Sequence, residues 1–416
     1  MHIWVITQFY KPESSNPSSR LGGFAGVWNK AEARVSVLAA TPNHPRGITF
    51  KDYECKPTFM HEKIDGVDVY RHWIYKNPSR NTKTRFLAQL SFAFSLLINL
   101  FRPTPKKPDV ILASSPSLLP AFTGWLLARR YRAKFVFESR EPWPGLFIEL
   151  GRFQDGRLVN FLVKMQKFLV RRADLLVTPT QDLAHDAADL GADREKIETI
   201  PNGFPDKDIG KAGKAQKSGA VEALRTELQI SPMTKIVMFL GDQGTPQALG
   251  QVIEAANRFL SRSDVLFLFV GDGPDKQRLK NMARGMPNVQ FIPGPEDEEK
   301  LWAYYGLANV CLVPTKDIAS LKKVTPSRLI EILGAGRPCV ASVGGVTAEI
   351  LNKARTALVA PPEDSEKLAY AILKLIDNPD KAELLGEKAE DWVKENYTNS
   401  RLGYTYFAQM RKLLKK

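Results

Sequence analysis

The sequence predicts an α/β protein built from two doubly wound, parallel-sheet domains in tandem. Three observations carry that expectation. Short apolar runs alternate with longer segments whose apolar residues recur every three or four positions, the pattern of strands joined by helical crossovers. The alternation pauses once, over 197–220, in a stretch rich in Gly, Pro and Lys, and then resumes in the same form. The chain has 416 residues, 44% hydrophobic and 25% charged, which suits two ordinary globular domains with sizeable cores.

In the first half, strands are expected at 2–9, 33–40, 67–74, 109–115, 134–139 and 175–180. Each is an apolar, β-branched-rich run that ends in a polar or Pro/Gly turn. The second half repeats the pattern at 235–241, 265–273, 289–294, 309–314 and 338–342. The stretch 197–220 reads as the linker, which gives domains over 1–204 and 205–397 and leaves a helical, basic tail at 398–416. Doubly wound sheets bind ligands outside the carboxyl ends of their strands, so the loops at those ends are where chemistry is sought.

Composition excludes several classes. Three cysteines (Cys55, Cys311, Cys339) stand far apart without metal spacing, which suits a reducing compartment and argues against a disulfide frame or a metal centre. The start, MHIWVITQFY, lacks the basic and apolar regions of a secretory signal, and no apolar run reaches the length of a membrane span. A cytoplasmic protein is expected. GxGxxG after the first strand, GxxxxGK[ST], GxSxG and HExxH are all missing, so redox, P-loop and common hydrolase readings lose their support.

The net charge of +14 is uneven: residues 1–200 carry 29 Lys and Arg against 19 Asp and Glu, and the remainder 30 against 26. From Arg71 to Lys134 there are twelve basic residues and one acid, Asp109. Within that region lies the apolar segment 86–101, too short to span a bilayer and flanked by basic runs. It reads either as a buried helix or as an interfacial one held to anionic lipid by its cations. A nucleic-acid surface is a further reading of the charge, without any recognition motif to support it.

The most informative segment is LVPTKDIASLKKVTPSRLIEILGAGRPCVAS, 312–342. A strand ends at Pro314 and a loop with Lys316, Lys322 and Lys323 follows. Thr325 has N-cap character, Pro326 suits the first helical position, and SRLIEIL continues until Gly334 and Gly336. A helix N-terminus beside cations is a ready phosphate site, to which Ser327 adds a hydroxyl and Arg328 a fork of donors. Glu331 lies one turn further in. In the first half, Arg140 and Glu141 stand after a strand, in a turn stiffened by Trp143 and two prolines. Arg140 could grip phosphate oxygens and Glu141 could position or deprotonate an acceptor hydroxyl. His44 and Arg46 follow the second strand. Ser18, Ser19 and Arg20 follow the first, where the helix is expected to begin near Arg20.

On six stretches in order (FYKPE, TPNHPRG, FESREPWP, IPNGF, FVGDGPDKQRL and PSRLIEILGAGRPCVAS) the chain resembles the retaining GT-B glycosyltransferases of family 4. It most resembles the bacterial L-fucosamine transferase-like subgroup of surface-polysaccharide biosynthesis. The resemblance implies two Rossmann-like domains facing across a cleft, an acceptor-side domain over 1–204 on which the final helix 398–416 packs, and a donor-binding domain over 205–397. It implies a UDP-sugar donor with an N-acetylated amino sugar, no cofactor or metal, and a glycan or polyprenyl-diphosphate-sugar acceptor at the inner face of the cytoplasmic membrane. Glu331 would hold the donor ribose, with Arg328, Ser327, Lys322 and Lys323 near the diphosphate, Gly294 at the nucleobase, and Gly271 and Gly273 at tight turns. Ser18, Ser19, Arg20, His44 and Arg46 would meet phosphate or acceptor. Lys323 stands where the family often has an acid, and FLGDQGTPQALG, 239–250, lacks the family's Arg and Lys. A sugar-nucleotide epimerase or hydrolase on the same fold is the alternative reaction.

Overall fold

The computed structural model describes residues 1–416 except 14, 45–46, 55–58, 79–81, 102–104, 144, 152–155 and 416. The chain divides into two compact units: Met1–Gly203 with Asn399–Lys416, and Phe204–Thr398.

Among the described residues, the N-terminal unit carries β1 (His2–Thr7), β2 (Arg34–Ala40), β3 (Met60–Ile64), β4 (Val67–His72), β5 (Val110–Ser114), β6 (Lys134–Glu138), β7 (Leu175–Thr178) and β8 (Ile197–Thr199). Their order is β3-β4-β2-β1-β5-β6-β7-β8. All pairings are parallel except β3 with β4. The C-terminal unit carries β9 (Lys235–Leu240), β10 (Val265–Val270), β11 (Val289–Ile292), β12 (Val310–Pro314), β13 (Cys339–Ser342) and β14 (Leu358–Ala360), in the all-parallel order β11-β10-β9-β12-β13-β14. Both sheets are doubly wound, as the alternation predicts.

Three strands escape the sequence reading. β3 runs antiparallel into β4 through Asp65 and Gly66, both at positive φ (50° and 80°), the geometry of a type I′ hairpin. Its alternating MHEKI is half polar because it forms the sheet edge, so it lacks the apolar run of a buried strand. β8 lies inside the expected linker, which also folds into the helix Lys211–Lys217; 197–220 is therefore structured chain rather than a spacer. β14 is only three residues long.

In each sheet the chain leaves the centre in opposite directions, once between β1 and β5 and once between β9 and β12. Crossovers on opposite faces diverge there and leave a crevice at the strands' carboxyl ends.

The tail forms the helix Asn399–Leu413 on the helix Asn16–Lys30. Tyr406 stands edge-on to Trp28 and Phe24, with ring centroids 5.2 and 6.0 Å away. Trp28 Nε1 donates to the Gly403 carbonyl at 2.9 Å, an approach open because a Cβ on Gly403 would crowd Val27.

The segment 86–101 is the helix Thr82–Leu96 continued by a 3₁₀ turn, Leu97–Leu100. Phe92 and Leu96 are buried in the core, while Leu87, Phe94, Ile98 and Phe101 are exposed, Phe101 by 85%. The two readings of this segment thus describe its two faces. Arg71, counted in the basic region from sequence, is not a surface cation. It is buried, with Nε on Glu62 Oε1 at 2.7 Å, Nη1 on the Ala40 carbonyl and Nη2 on the Lys11 carbonyl. Among the described residues, no helix is long and apolar enough to cross a membrane.

Two substitutions separate shape from polarity at the tail. Trp28→Ala empties a fully buried site and is expected to lower unfolding stability by about 3–5 kcal/mol. Tyr406→Phe removes a buried hydroxyl that has no hydrogen-bond partner, so it should leave stability unchanged or raise it by about 1 kcal/mol. Urea unfolding of both variants checks the pair; a large loss in Tyr406→Phe would contradict this account.

Candidate active site

The carboxyl ends of the C-terminal sheet gather one set of candidates. After β12 a short helix, Ala319–Lys322, is followed by the helix Ser327–Gly334. Pro326 occupies the N-cap position and no side chain caps the helix. Thr325 is thus not the cap that the sequence suggests, and the first-turn amides carry no protein cap, leaving an electropositive end. Gly336, at φ 67°, ends the helix as expected.

On the first turns of this helix, Arg328 Nη1 donates to Glu331 Oε1 at 2.7 Å and to Tyr305 Oη at 3.1 Å. Tyr305 Oη donates to the same Glu331 oxygen at 2.9 Å. The carboxylate is thereby fixed through one oxygen, while Oε2 lies outside the triangle. Burial opposes the Arg328 charge, but Tyr305 and Glu331 outweigh it and hold the guanidinium above its ordinary range. Burial first, and then Glu331, push the Tyr305 phenol well up, so it remains a hydroxyl donor. Tyr305 comes from a different helix, Glu298–Leu307, and sequence reasoning missed it because only the fold brings it to Glu331.

The glycines ring the same strand ends. Gly241 follows β9, and a Cβ there would lie 3.4 Å from Arg328 Nε. Bare backbone thus meets the guanidinium across the β9/β12 crevice. Gly271, at φ 133°, follows β10, and a Cβ on it would fall 2.0 Å from the Gly241 carbonyl oxygen. Gly273 packs equally hard against the Gln243 main chain, and a Cβ on Gly294 would be 3.7 Å from Gly271 Cα. Gly241, Gly271, Gly273 and Gly294 therefore share one surface with Arg328. Lys322 bonds Asp317 at 2.7 Å rather than standing alone; Lys323 caps the short helix, and Ser327 is half-buried.

The N-terminal unit holds a second set at its β1/β5 crevice, where Ser117 Oγ donates to Gln8 Oε1 at 2.9 Å. At the end of β6, Glu138 is fully buried and accepts from Arg20 Nε at 3.0 Å and Ser114 Oγ at 2.8 Å. Arg20 also donates to the carbonyls of Ile200 and Pro201 and to Asn202 Oδ1. All three of its nitrogens donate inside the unit, so it is a structural tie rather than the phosphate contact expected of it. The helix also starts earlier than expected, at Asn16, with Ser15 accepting from Ser18 N–H. Ser18 is buried with an unpartnered hydroxyl, and Ser19 is exposed.

Arg140 is 95% buried, its main chain held by Ser115 Oγ, and its Nε and Nη1 have no partner. Burial lowers its pKa, against the pull of Glu138. Glu141 beside it is pushed up by burial. With Arg20 taken up by Glu138 and the loop at 200–202, the two unpartnered Arg140 nitrogens are what this cluster offers an anion, beside the half-buried Glu141. Glu138 was missed from sequence because an acid inside a strand looks like a strand end. His44 is half-buried, its ring 5.1 Å from Phe9; Arg46 lies outside the described residues. Among the described residues, no group of three or more His, Cys, Asp or Glu gathers in a metal-holding arrangement.

Comparison with known proteins matches both units. Residues 19–203 match the glycosyl transferase 4-like domain, and residues 220–392 match the glycosyl transferases group 1 family. The chain is 28% identical over 411 residues to Escherichia coli (strain K12) WcaI, whose name gives it as a colanic acid biosynthesis glycosyl transferase. That match covers 95% of this chain and 97% of WcaI. Among solved structures, sucrose-phosphate synthase from Thermosynechococcus elongatus superposes with a TM-score of 0.76 at 17% identity, covering 100% of this chain and 99% of that one. Anabaena Alr3699/HepE in complex with UDP superposes with a TM-score of 0.71 at 15% identity, covering 99% and 100%.

Gly271→Ala tests the close approach at the C-terminal set. The added methyl cannot fit beside the Gly241 carbonyl at this φ, so the variant should lose about 2 kcal/mol or more of stability, read by urea unfolding. Gly285→Ala, also at positive φ (82°) but with open space around its Cβ, should cost only the smaller backbone strain.

Proposed function

Since the chain is a glycosyltransferase with the GT-B fold, we propose that it is a retaining enzyme using a UDP-sugar. In this reading it transfers an N-acetylated amino sugar to a lipid-linked polysaccharide precursor, with the donor on the C-terminal unit and the acceptor on the N-terminal one. The Tyr305–Arg328–Glu331 triangle carries the donor assignment: a carboxylate is locked by one oxygen, with the other available, beside an uncapped helix N-terminus at a topological switch point. The UDP held by the Anabaena protein supports the nucleotide, and the name of WcaI supports a polysaccharide product.

Glu331 Oε2 accepts from the ribose hydroxyls of the donor. The diphosphate lies at the free amides of Ser327 and Arg328, with Lys322 and Lys323 adding positive charge as the bond to the sugar breaks. Glycines 241, 271 and 273 let the chain approach the nucleotide, and Gly294 lies toward the base. The acceptor hydroxyl attacks on the face the diphosphate leaves: the new C1–O bond to the acceptor forms, the old C1–O bond breaks with its oxygen and electron pair leaving on the diphosphate, and the hydroxyl proton passes to a diphosphate oxygen. With Lys323 in the place of an acid, charge neutralisation rather than a second carboxylate serves the leaving group. No metal or cofactor is required in this scheme. Arg140 holds an anionic group of the acceptor and Glu141 orients its hydroxyl.

The exposed stripe Leu87, Phe94, Ile98 and Phe101 supports peripheral membrane docking, with exposed Lys83, Arg85, Lys106 and Lys107 nearby for anionic headgroups. Each such cation contributes about 1 kcal/mol near a charged leaflet.

Two experiments test this reading. UDP should raise the melting temperature more than GDP or ADP, and Glu331→Ala should abolish the shift or raise the donor KM about tenfold or more. Wild-type donor kinetics in Glu331→Ala would sink the donor assignment. Co-sedimentation with vesicles containing phosphatidylglycerol should be lost in the double variant Phe94→Ser, Phe101→Ser; equal binding would remove the membrane surface from the scheme.

A further inference from the structure

The loops after β1 and β2 are joined by a residue to which the scheme above gives no role. Glu13 is only 3% exposed. Its Oε1 accepts from the main-chain N–H groups of Asn43 at 2.7 Å and His44 at 2.8 Å. Its Oε2 accepts from the Tyr10 N–H at 3.3 Å. Tyr10 and Glu13 follow β1, whereas Asn43 and His44 follow β2, the neighbouring parallel strand. One carboxylate thus ties two irregular loops at the carboxyl edge of the sheet, where neither ladder nor helix supplies hydrogen bonds.

Nearby cation chemistry does not explain the acid. Arg71 is close enough to favour its charge, but its donors go to Glu62, the Ala40 carbonyl and the Lys11 carbonyl. The carboxylate is held by main-chain dipoles, and Arg71 clamps the base of the same two loops. A second contact spans the loops from the side chains: the His44 ring meets the Phe9 ring at 66°. His44 is therefore fixed at its backbone by Glu13 and at its ring by Phe9.

We propose that Glu13 is a positioning residue whose buried carboxylate fixes the main chain at Asn43 and His44, so that His44 is presented to the acceptor in a single place. This rests on the reading that the N-terminal unit receives the acceptor at the carboxyl ends of its strands. A buried ionisable acid is a costly way to satisfy three amides unless their exact placement matters, because an apolar or turn-forming sequence could avoid the charge.

The tie has a proton dependence. Burial pushes the Glu13 carboxyl up to about 7, against the opposing pull of the Asn43 and His44 amides, Arg71 and the Tyr10 amide. The ionised form offers acceptors to all three amides. A proton on Oε2 sets an O–H against the Tyr10 N–H, so the tie loosens as pH falls through about 7. Stability runs the other way: the folded state binds this proton more tightly than the unfolded chain, so its contribution declines as pH rises from about 4.5 to about 7. Of the groups facing Glu13, Arg71 opposes the effect of burial through its charge, burial pushes the Tyr10 phenol far up so that it stays neutral, and the His44 ring lies against Phe9.

The test uses the full chain. In ¹⁵N spectra, the Asn43 and His44 amides of the wild type should titrate with a midpoint near 7, and Glu13→Gln should abolish that titration while His44→Asn leaves that of Asn43 in place. With the UDP-sugar that gives the largest thermal shift as donor and a polyprenyl-diphosphate monosaccharide as acceptor, Glu13→Gln should raise the acceptor KM about tenfold. It should leave kcat within about twofold and the UDP-induced shift unchanged. Amides that titrate alike in Glu13→Gln, or an unchanged acceptor KM, would overturn the proposal. Should Glu13→Gln fail to fold, Glu13→Asp, with a shorter reach, must shift the amide titration or the proposal falls. Absence of turnover with every UDP-sugar would instead remove the functional reading, while the amide titration still decides the tie.

Discussion

Burial of both faces of a parallel sheet is the constraint on which the rest of this protein depends. Every residue of β1, β5, β7, β12 and β13 is buried, so the central strands have no open face on which to place a ligand. What remains open is the edge where strands end and crossovers part. The chain exploits that edge twice, between β1 and β5 and between β9 and β12. Polar side chains that the core cannot tolerate gather there: Glu138, Arg140, Ser114 and Ser115 in one unit, Arg328, Glu331 and Tyr305 in the other.

Charge is handled differently at the two edges. In the C-terminal unit the guanidinium of Arg328 is neutralised by Glu331 and steadied by Tyr305, so the cluster is complete before any ligand arrives. Such preorganisation lets a fixed carboxylate read hydroxyl groups without rearranging. In the N-terminal unit Arg20 takes Glu138 for itself, and Arg140 keeps two nitrogens without a partner. The first arrangement suits a neutral, hydroxyl-rich partner next to a phosphate; the second suits an anion.

Much of this was legible from residue order. The alternation of apolar runs and helical spacing located eleven strands, and the segment 312–342 singled out Arg328 and Glu331 before their geometry was known. Pattern reading failed where length or polarity hid a strand: β3 is half polar at an edge, and β8 and β14 are three residues each. It also misjudged roles that depend on partners. Arg20 reads as a phosphate or acceptor contact and Arg71 as a cation of a basic region, yet both are buried ties, because their partners Glu138, Ile200, Glu62 and Lys11 lie on other elements.

By itself, then, the sequence determined the α/β class, two sheets of parallel strands and the glycosyltransferase motifs, since periodicity and local turn chemistry act over a few residues. Only the tertiary structure decided which side of each sheet end is complete. It set Tyr305 against Glu331, left two Arg140 nitrogens without a hydrogen-bond partner, drew Glu13 between two loops, and turned Phe94 and Phe101 outward while Phe92 and Leu96 turned in. These are contacts between elements far apart in the chain, where hydrogen-bond direction and burial, rather than residue order, select the partner.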